Sequence, residues 1–195
     1  MALSPDAAKT ASEDSSLMMR VQAGDESAFA ALMQRWELPV KSVIARVVLN
    51  ASEAEDLAQE TFVRVWQRRR QFAAGRAVKP WILGIAVNLA RNRLRWWRLR
   101  PTVSLDEWAE VPERVNGPTE NGSHNLELAE RASAVRAAIA ALPPKFREAL
   151  VLFEYEHMSY AEIAEALSTT VKTIENRIAR ARDRLRRTLQ RWAPT

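Results

Sequence analysis

The chemistry available to this chain is concentrated in its arginines. Residues 61–100 contain no acidic side chain but eleven basic ones: Arg64, Arg68, Arg69, Arg70, Arg76, Lys79, Arg91, Arg93, Arg95, Arg98 and Arg100. Over residues 105–130 the sign reverses, with Asp106, Glu107, Glu110, Glu113, Glu120, Glu127 and Glu130 set against Arg114 alone. Past Thr170, eight Lys/Arg meet only Glu175 and Asp183. The net charge of +5 hides this arrangement. Arginine outnumbers lysine 24 to 5, and a guanidinium fork bonds phosphates and base edges in a plane, where an ammonium offers a point charge. Two basic blocks parted by an acidic stretch predict two polyanion-binding modules and a connector excluded from that task. Arginine-rich helices that present only solvated faces are the alternative for either block.

Other chemistries are poorly supplied. The chain has 195 residues, no cysteine and two histidines, His124 and His157. That leaves no thiolate zinc site, disulfide framework or thiol nucleophile, and little for a histidine metal centre or a Ser/His/Asp triad. No catalytic residue, metal ligand or cofactor is therefore expected. Hydrophobic residues make up 47%, enough for a packed core. The length suits one sizeable domain or two small ones. No apolar run approaches the roughly 18 residues of a membrane span. Residues 1–16 lack the basic start and apolar middle of a signal peptide. A cytoplasmic protein is expected.

The elements that must position the basic groups are helices. Apolar residues recur at helical spacing outside 101–125, and no segment alternates at period two. The expected fold class is all-α: two small helical domains joined by a flexible acidic linker. Residues 1–16 read as a disordered tail. The first domain, 17–100, has helices over 17–36 (interrupted at Gly24 and Asp25), 40–49, 52–70 and 79–99. The box Ser52-Glu-Ala-Glu55 starts the third, and Pro80 sits in the first turn of the fourth. Turn formers such as Pro101, Pro112, Gly117, Pro118 and Gly122 make 101–125 a linker. Ser104-Leu-Asp-Glu107 could cap one helical turn within it. The second domain, 126–195, has helices over 126–142, 145–154, 159–167 and 171–190.

The last two helices form a helix-turn-helix. Ser159-Tyr-Ala-Glu162 is a capping box, and Ser168, Thr169 and Thr170 make a short turn that caps the next helix. Placing Thr173 at zero and advancing 100° per residue puts Val171, Ile174, Ile178, Ala181 and Leu185 between about 80° and 160°. Arg177, Arg180 and Arg184 fall within about 40° of Thr173, with Asn176 about 60° away. One side packs and the other offers groups that read bases and hold phosphates. Lys172, Thr173, Asn176 and Arg177 are placed at or near base edges; Arg180, Arg184 and Arg187, further along, are placed on phosphates. A basic amphipathic helix that closes a bundle would carry the same pattern.

In the helix over 52–70, acids crowd the start and arginines the end, which complements the helix dipole and needs no partner. Ala58, Phe62 and Trp66 form a ridge along it that also suits a core. In the helix over 79–99, Trp81, Asn88, Arg91, Asn92 and Arg95 lie within about 60° of one another, opposite Ile82, Ile85, Ala86 and Leu89. Arginine, asparagine and tryptophan on one face suit single-stranded or distorted nucleic acid, where bases stack on rings and cations follow the backbone. Each tryptophan could equally fill the core.

Ala54-Glu-Asp-Leu-Ala-Gln-Glu-Thr-Phe-Val-Arg-Val-Trp66, Pro80-Trp-Ile-Leu-Gly-Ile-Ala-Val-Asn88, Met158-Ser-Tyr-Ala-Glu-Ile-Ala-Glu-Ala-Leu167 and Thr173-Ile-Glu-Asn-Arg-Ile-Ala-Arg-Ala-Arg182 occur in this order in bacterial RNA polymerase sigma factors. The chain resembles their small extracytoplasmic-function group, which keeps only the second and fourth conserved sigma regions. The resemblance covers residues 17–100 and 126–192. It implies a non-enzymatic subunit that binds core RNA polymerase (β′ and β subunits) and directs promoter recognition and initiation. It implies docking of the helix over 52–70 on the β′ coiled coil through Asp56, Gln59, Glu60, Phe62 and Trp66. It also implies −10 contacts by Trp81, Asn88, Arg91, Asn92 and Arg95, and −35 contacts by the C-terminal helix-turn-helix. An anti-sigma protein is a further implied partner, and the holoenzyme would lie on the nucleoid. Three features depart from the family: Ser168 where glycine is frequent, Asn92 where an acid is frequent, and the pair Trp96-Trp97.

A helix-turn-helix also occurs in ordinary transcription regulators, whose remaining domain senses a signal or dimerises. An acid-free stretch with eleven cations suits neither role. An enzyme acting on nucleic acid would need a carboxylate cluster inside the basic surface, and the sequence has none there.

Overall fold

The computed structural model describes residues 5–73, 75–99 and 122–190. Among the described residues there are eight α-helices and no strand: α1 Pro5–Gln22, α2 Glu26–Val48, α3 Ala51–Arg68, α4 Val78–Leu99, α5 Gly122–Ala140, α6 Pro144–Glu154, α7 Tyr160–Ala166 and α8 Val171–Thr188. The helical turn expected at Ser104 to Glu107 lies outside the described residues, and the helix expected from 126 begins at Gly122.

Helices α1–α4 form the first bundle, with Met18, Leu32, Ile44, Phe62 and Ile82 in its core. The tail expected to be disordered is largely α1. Asp14 on that helix is buried, accepting from Trp36 Nε1 at 3.2 Å and from Arg35 Nη1 at 2.9 Å. Glu13 takes the other arm of Arg35 at 2.7 Å. Burial raises the Asp14 carboxyl above its ordinary range, and Arg35 and Trp36 pull it back. These contacts tie residues separated by more than twenty positions, so hydropathy near the terminus did not reveal them.

At the α1–α2 corner, Gly24 takes φ +92°, a conformation costly for a side-chain-bearing residue. Asp25 follows as N-cap, accepting from Ala28 N at 3.0 Å. Ser27, then that amide, then Arg20 hold its carboxyl far below the usual carboxylate range. The expected break between 36 and 40 is absent, because α2 runs through Pro39. An internal proline costs about 3 kcal/mol. Trp36, Val40, Val43, Ile44 and Val47 are all buried around it, and each such side chain contributes about 1.5–3 kcal/mol. Packing therefore outweighs the lost hydrogen bond. The N-cap of α3 is Asn50, whose side chain accepts from Glu53 N at 3.0 Å, and not the expected Ser52.

In the second bundle, Ile139, Leu142, Phe146, Leu150 and Ala181 form a small core of their own. The other side of this bundle packs on the first, α6 beside α2 and α7 beside α4, and the larger core runs across the seam. Gly84 marks a close approach of the two bundles. A Cβ built there would lie 2.7 Å from the Ala166 carbonyl oxygen. Ion pairs frame it: Arg91 Nη2 to Glu148 Oε2 at 2.7 Å, Arg76 Nε to Glu165 Oε1 at 2.7 Å, and Lys79 Nζ to Glu156 Oε2 at 3.8 Å. Arg46 lies over the Tyr155 ring, 4.3 Å from its centre.

The capping box at Ser159 is present in full, Glu162 N donating to Ser159 Oγ and Ser159 N donating to Glu162 Oε2. Helix α7 then closes with Thr169 N bonded to Ala164 O at 2.9 Å and Ser168 N to Glu165 O at 3.2 Å. That pair of bonds needs a left-handed residue between them, and Ser168 supplies it at φ +50°. Serine thus completes the turn at a conformational cost that glycine avoids.

Two stability predictions follow. Asp14→Ala leaves the buried Trp36 N–H without an acceptor and lowers the unfolding free energy by about 1–3 kcal/mol in urea titrations; an unchanged midpoint would place α1 outside the cooperative fold. Ser168→Gly relieves the left-handed strain and raises stability by roughly 0.5–1 kcal/mol, read as a higher thermal midpoint.

Candidate nucleic-acid interface

The helix-turn-helix presents a face built by its own caps. Thr170 Oγ1 accepts from Thr173 N at 3.2 Å and lies 2.9 Å from Thr173 Oγ1, so the start of α8 is fixed where a groove would meet it. Ile174, Ile178 and Ala181 are buried and Leu185 is half-buried, as the periodicity predicted. Val171 departs from it and stays 49% exposed at the first position of α8. Lys172, Asn176, Arg180 and Arg184 are exposed, with Thr173 and Arg177 half-buried beside them. Lys172 is paired with Glu175 at 2.9 Å, and the Arg184 guanidinium lies 5.5 Å from the Phe146 ring centre. Among the described residues Arg177 and Arg180 have no ion pair. Arg187 is bound to Asp183 at 2.6 Å. Arg182 is held by Glu154 at 2.8 Å and covers Phe153, so it fastens α8 to α6.

Helix α4 brings Asn88, Asn92 and Arg95 to one exposed face. Arg91 joins them by donating to Asn88 Oδ1 at 3.2 Å, while its other nitrogens grip both oxygens of Glu148. Glu148 is only 1% exposed. Trp81 stands two turns away, half-buried and edge-on to Phe72 with ring centres 5.1 Å apart. Its ring therefore supports the bundle as well as lining the face. Between α4 and the start of α6 lies a cleft of about 400 Å³ lined by Arg91, Leu94, Arg95, Arg98, Lys145 and Glu148.

On α3, Asp56 and Gln59 are exposed, and Glu60 reaches Arg64 at 2.9 Å. Phe62 is 3% exposed within the core of the first bundle, the place that the ridge through Ala58, Phe62 and Trp66 also suits. Trp66 is half-buried between Phe29, ring centres 5.0 Å apart, and the Arg69 guanidinium, 4.1 Å from its ring. Val63 is 53% exposed on the same side as Asp56, Gln59 and Glu60, a lone aliphatic residue at i+7, i+4 and i+3 from those three that the sequence analysis did not single out.

Among the described residues no cluster of three His, Cys, Asp or Glu could hold a metal, and no helix is long and apolar enough to cross a membrane. Residues 32–98 match the family "Sigma-70 region 2", and residues 132–185 match "Sigma-70, region 4". The RNA polymerase sigma-H factor of Pseudomonas aeruginosa is 35% identical, covering 93% of this chain and 96% of that protein. The sigma factor SigW of Bacillus subtilis is 31% identical over 88% and 94% of the two chains. Among solved structures, CnrH in complex with the cytosolic domain of CnrY superposes with a TM-score of 0.66 at 25% identity, covering 93% of this chain and 99% of that one. The two matched regions lie in the bundles that carry the basic faces of α4 and α8. The chain belongs to the extracytoplasmic-function group of bacterial RNA polymerase sigma factors, which bind core polymerase and direct sequence-specific promoter recognition and transcription initiation.

Proposed function

We propose the following division of labour within the molecule. Helix α8 reads the −35 element as duplex, with Lys172, Thr173, Asn176 and Arg177 at base edges and Arg180 and Arg184 on phosphates. The observation that carries this reading is the capped start of α8, with Arg177 and Arg180 left without carboxylate partners among the described residues. A cation already satisfied inside the protein has less to gain from a phosphate. Helix α4 holds the −10 element with Asn88, Arg91, Asn92 and Arg95, and Trp81 borders that site. Helix α3 docks on core polymerase through Asp56, Gln59, Glu60 and the exposed edge of Trp66, with Val63 at the centre of the patch. The domains are drawn along the two bundles, the first carried by α1–α4 (Pro5–Leu99) and the second by α5–α8 (Gly122–Thr188). The protein performs no catalysis and acts in the bacterial cytoplasm, on the nucleoid when assembled. An anti-sigma protein restrains it, a role suggested by the family and compatible with the capture of CnrH on the cytosolic domain of another protein.

Purified core polymerase and a promoter template test the assignment. Arg177→Ala is expected to reduce recognition of the upstream element by about 1–3 kcal/mol, roughly five- to 150-fold, with core binding unchanged. Loss of core binding in that variant would mean that α8 is misplaced. Val63→Lys is expected to weaken core binding about tenfold at an unaltered thermal midpoint, since the side chain is already half in water; full affinity in that variant would move the docking patch off α3.

A further inference from the structure

Arg91, Arg95 and Arg98 stand at i, i+4 and i+7 on α4. At 100° per residue they fall within about 40° of one another, on a stripe about 10 Å long. The start of α6 lies across the cleft of about 400 Å³ from that stripe and adds Lys145. Arg91 is already engaged, holding both oxygens of Glu148, the acid of the lining. Arg95, Arg98 and Lys145 are exposed and, among the described residues, have no carboxylate partner. Helix α6 begins at this cleft with Pro143 as its N-cap, no side chain capping it and no acid in its first turn. The amide end of a helix adds partial positive charge to the three cations. The lining also has an apolar part, Leu94 with Pro143 and Pro144.

We propose that this cleft binds a nucleoside diphosphate, with Arg95, Arg98 and Lys145 on the phosphates and Leu94, Pro143 and Pro144 against the base or sugar. The charges match: two linked phosphoryl groups carry roughly three negative charges between them, against three unengaged cations. A guanidinium fork takes two phosphate oxygens in one plane, and two forks about one helical turn apart suit adjacent phosphoryl groups better than a lone phosphate. Clefts of about 300–1,000 Å³ hold small ligands, and a mixed polar and apolar lining is what orients them. Arg98 and Lys145 have no part in the faces proposed for promoter DNA or core polymerase, which leaves them to this site. Arg95 belongs to both, so a bound nucleotide withholds it from the −10 strand. That consequence rests on the assignment of α4 to the −10 element; the site itself does not.

Calorimetric titration of ADP into the free full-length chain tests the site. One saturable site is expected. AMP and pyrophosphate, each lacking one part of the ligand, bind about tenfold more weakly. Lys145→Gln and Arg98→Gln each weaken ADP binding about tenfold, the loss of one charged hydrogen bond. Both side chains are exposed, so the thermal midpoint without ADP stays as in the wild type. Arg70→Gln removes an equally exposed cation that does not line the cleft, and leaves ADP binding unchanged. Absence of saturable binding overturns the proposal. So does AMP or pyrophosphate binding as tightly as ADP, or wild-type ADP affinity in both Lys145→Gln and Arg98→Gln. Equal weakening by Arg70→Gln overturns it too, because attraction would then be general to the basic surface. Neither promoter nor polymerase enters the titration, so its failure leaves the promoter reading standing, and failure of that reading leaves the site standing.

Discussion

Eleven cations within forty residues, with no acid among them, must find counter-charge elsewhere in the chain or in a partner. Two like charges 4 Å apart repel by about 4 kcal/mol at an effective dielectric near 20, so crowding of this kind is not neutral to folding. The molecule answers unevenly. Glu53 and Glu60 serve Arg93 and Arg64 locally, and Glu148, Glu156 and Glu165 serve Arg91, Lys79 and Arg76 from the second bundle. Among the described residues, Arg68, Arg70, Arg95 and Arg98 have no such partner. Neutralised cations gather at the seam between the bundles, and Arg95 and Arg98 line the open cleft beside it.

Not all of these pairs carry equal energetic weight. The Arg76–Glu165 pair is more than a third exposed on both sides, and such pairs contribute roughly 0–1 kcal/mol. Glu148 is different, since its carboxylate is almost wholly removed from water and both oxygens depend on one guanidinium. A buried charge that loses its partner is costly, and the pair itself need not be a net gain over an apolar contact. Arg91 and Glu148 join α4 to α6, while the shared apolar core supplies the burial that holds the bundles together.

The helix-turn-helix was legible because its signals are local. Ser159 with Glu162, Thr170 with Thr173, and the spacing of Ile174, Ile178 and Ala181 each lie within one or two turns, where sequence spacing and spatial neighbourhood coincide. Expectations failed where distant residues decided the outcome. Helix α1 is held in the fold because Asp14 meets Trp36, and α2 continues through Pro39 because five apolar side chains are buried around it. The start of α3 was misread for a smaller reason: Asn50 and Ser52 are both good caps, and only the extended backbone at Asn50 chose between them.

The sequence alone determined the all-helical class, the two basic blocks, the last helix with its polar and apolar sides, and the family, because helical periodicity and capping are short-range physics. Tertiary structure alone decided which cations are spent inside the molecule. No pattern linked Arg91 to Glu148, and nothing in the run Leu83-Gly84-Ile85 announced a close approach, although an isolated glycine on an apolar helix face is the mark of one. Charge can be counted along a chain, but whether a guanidinium faces a carboxylate or water depends on the packing of helices far apart in sequence.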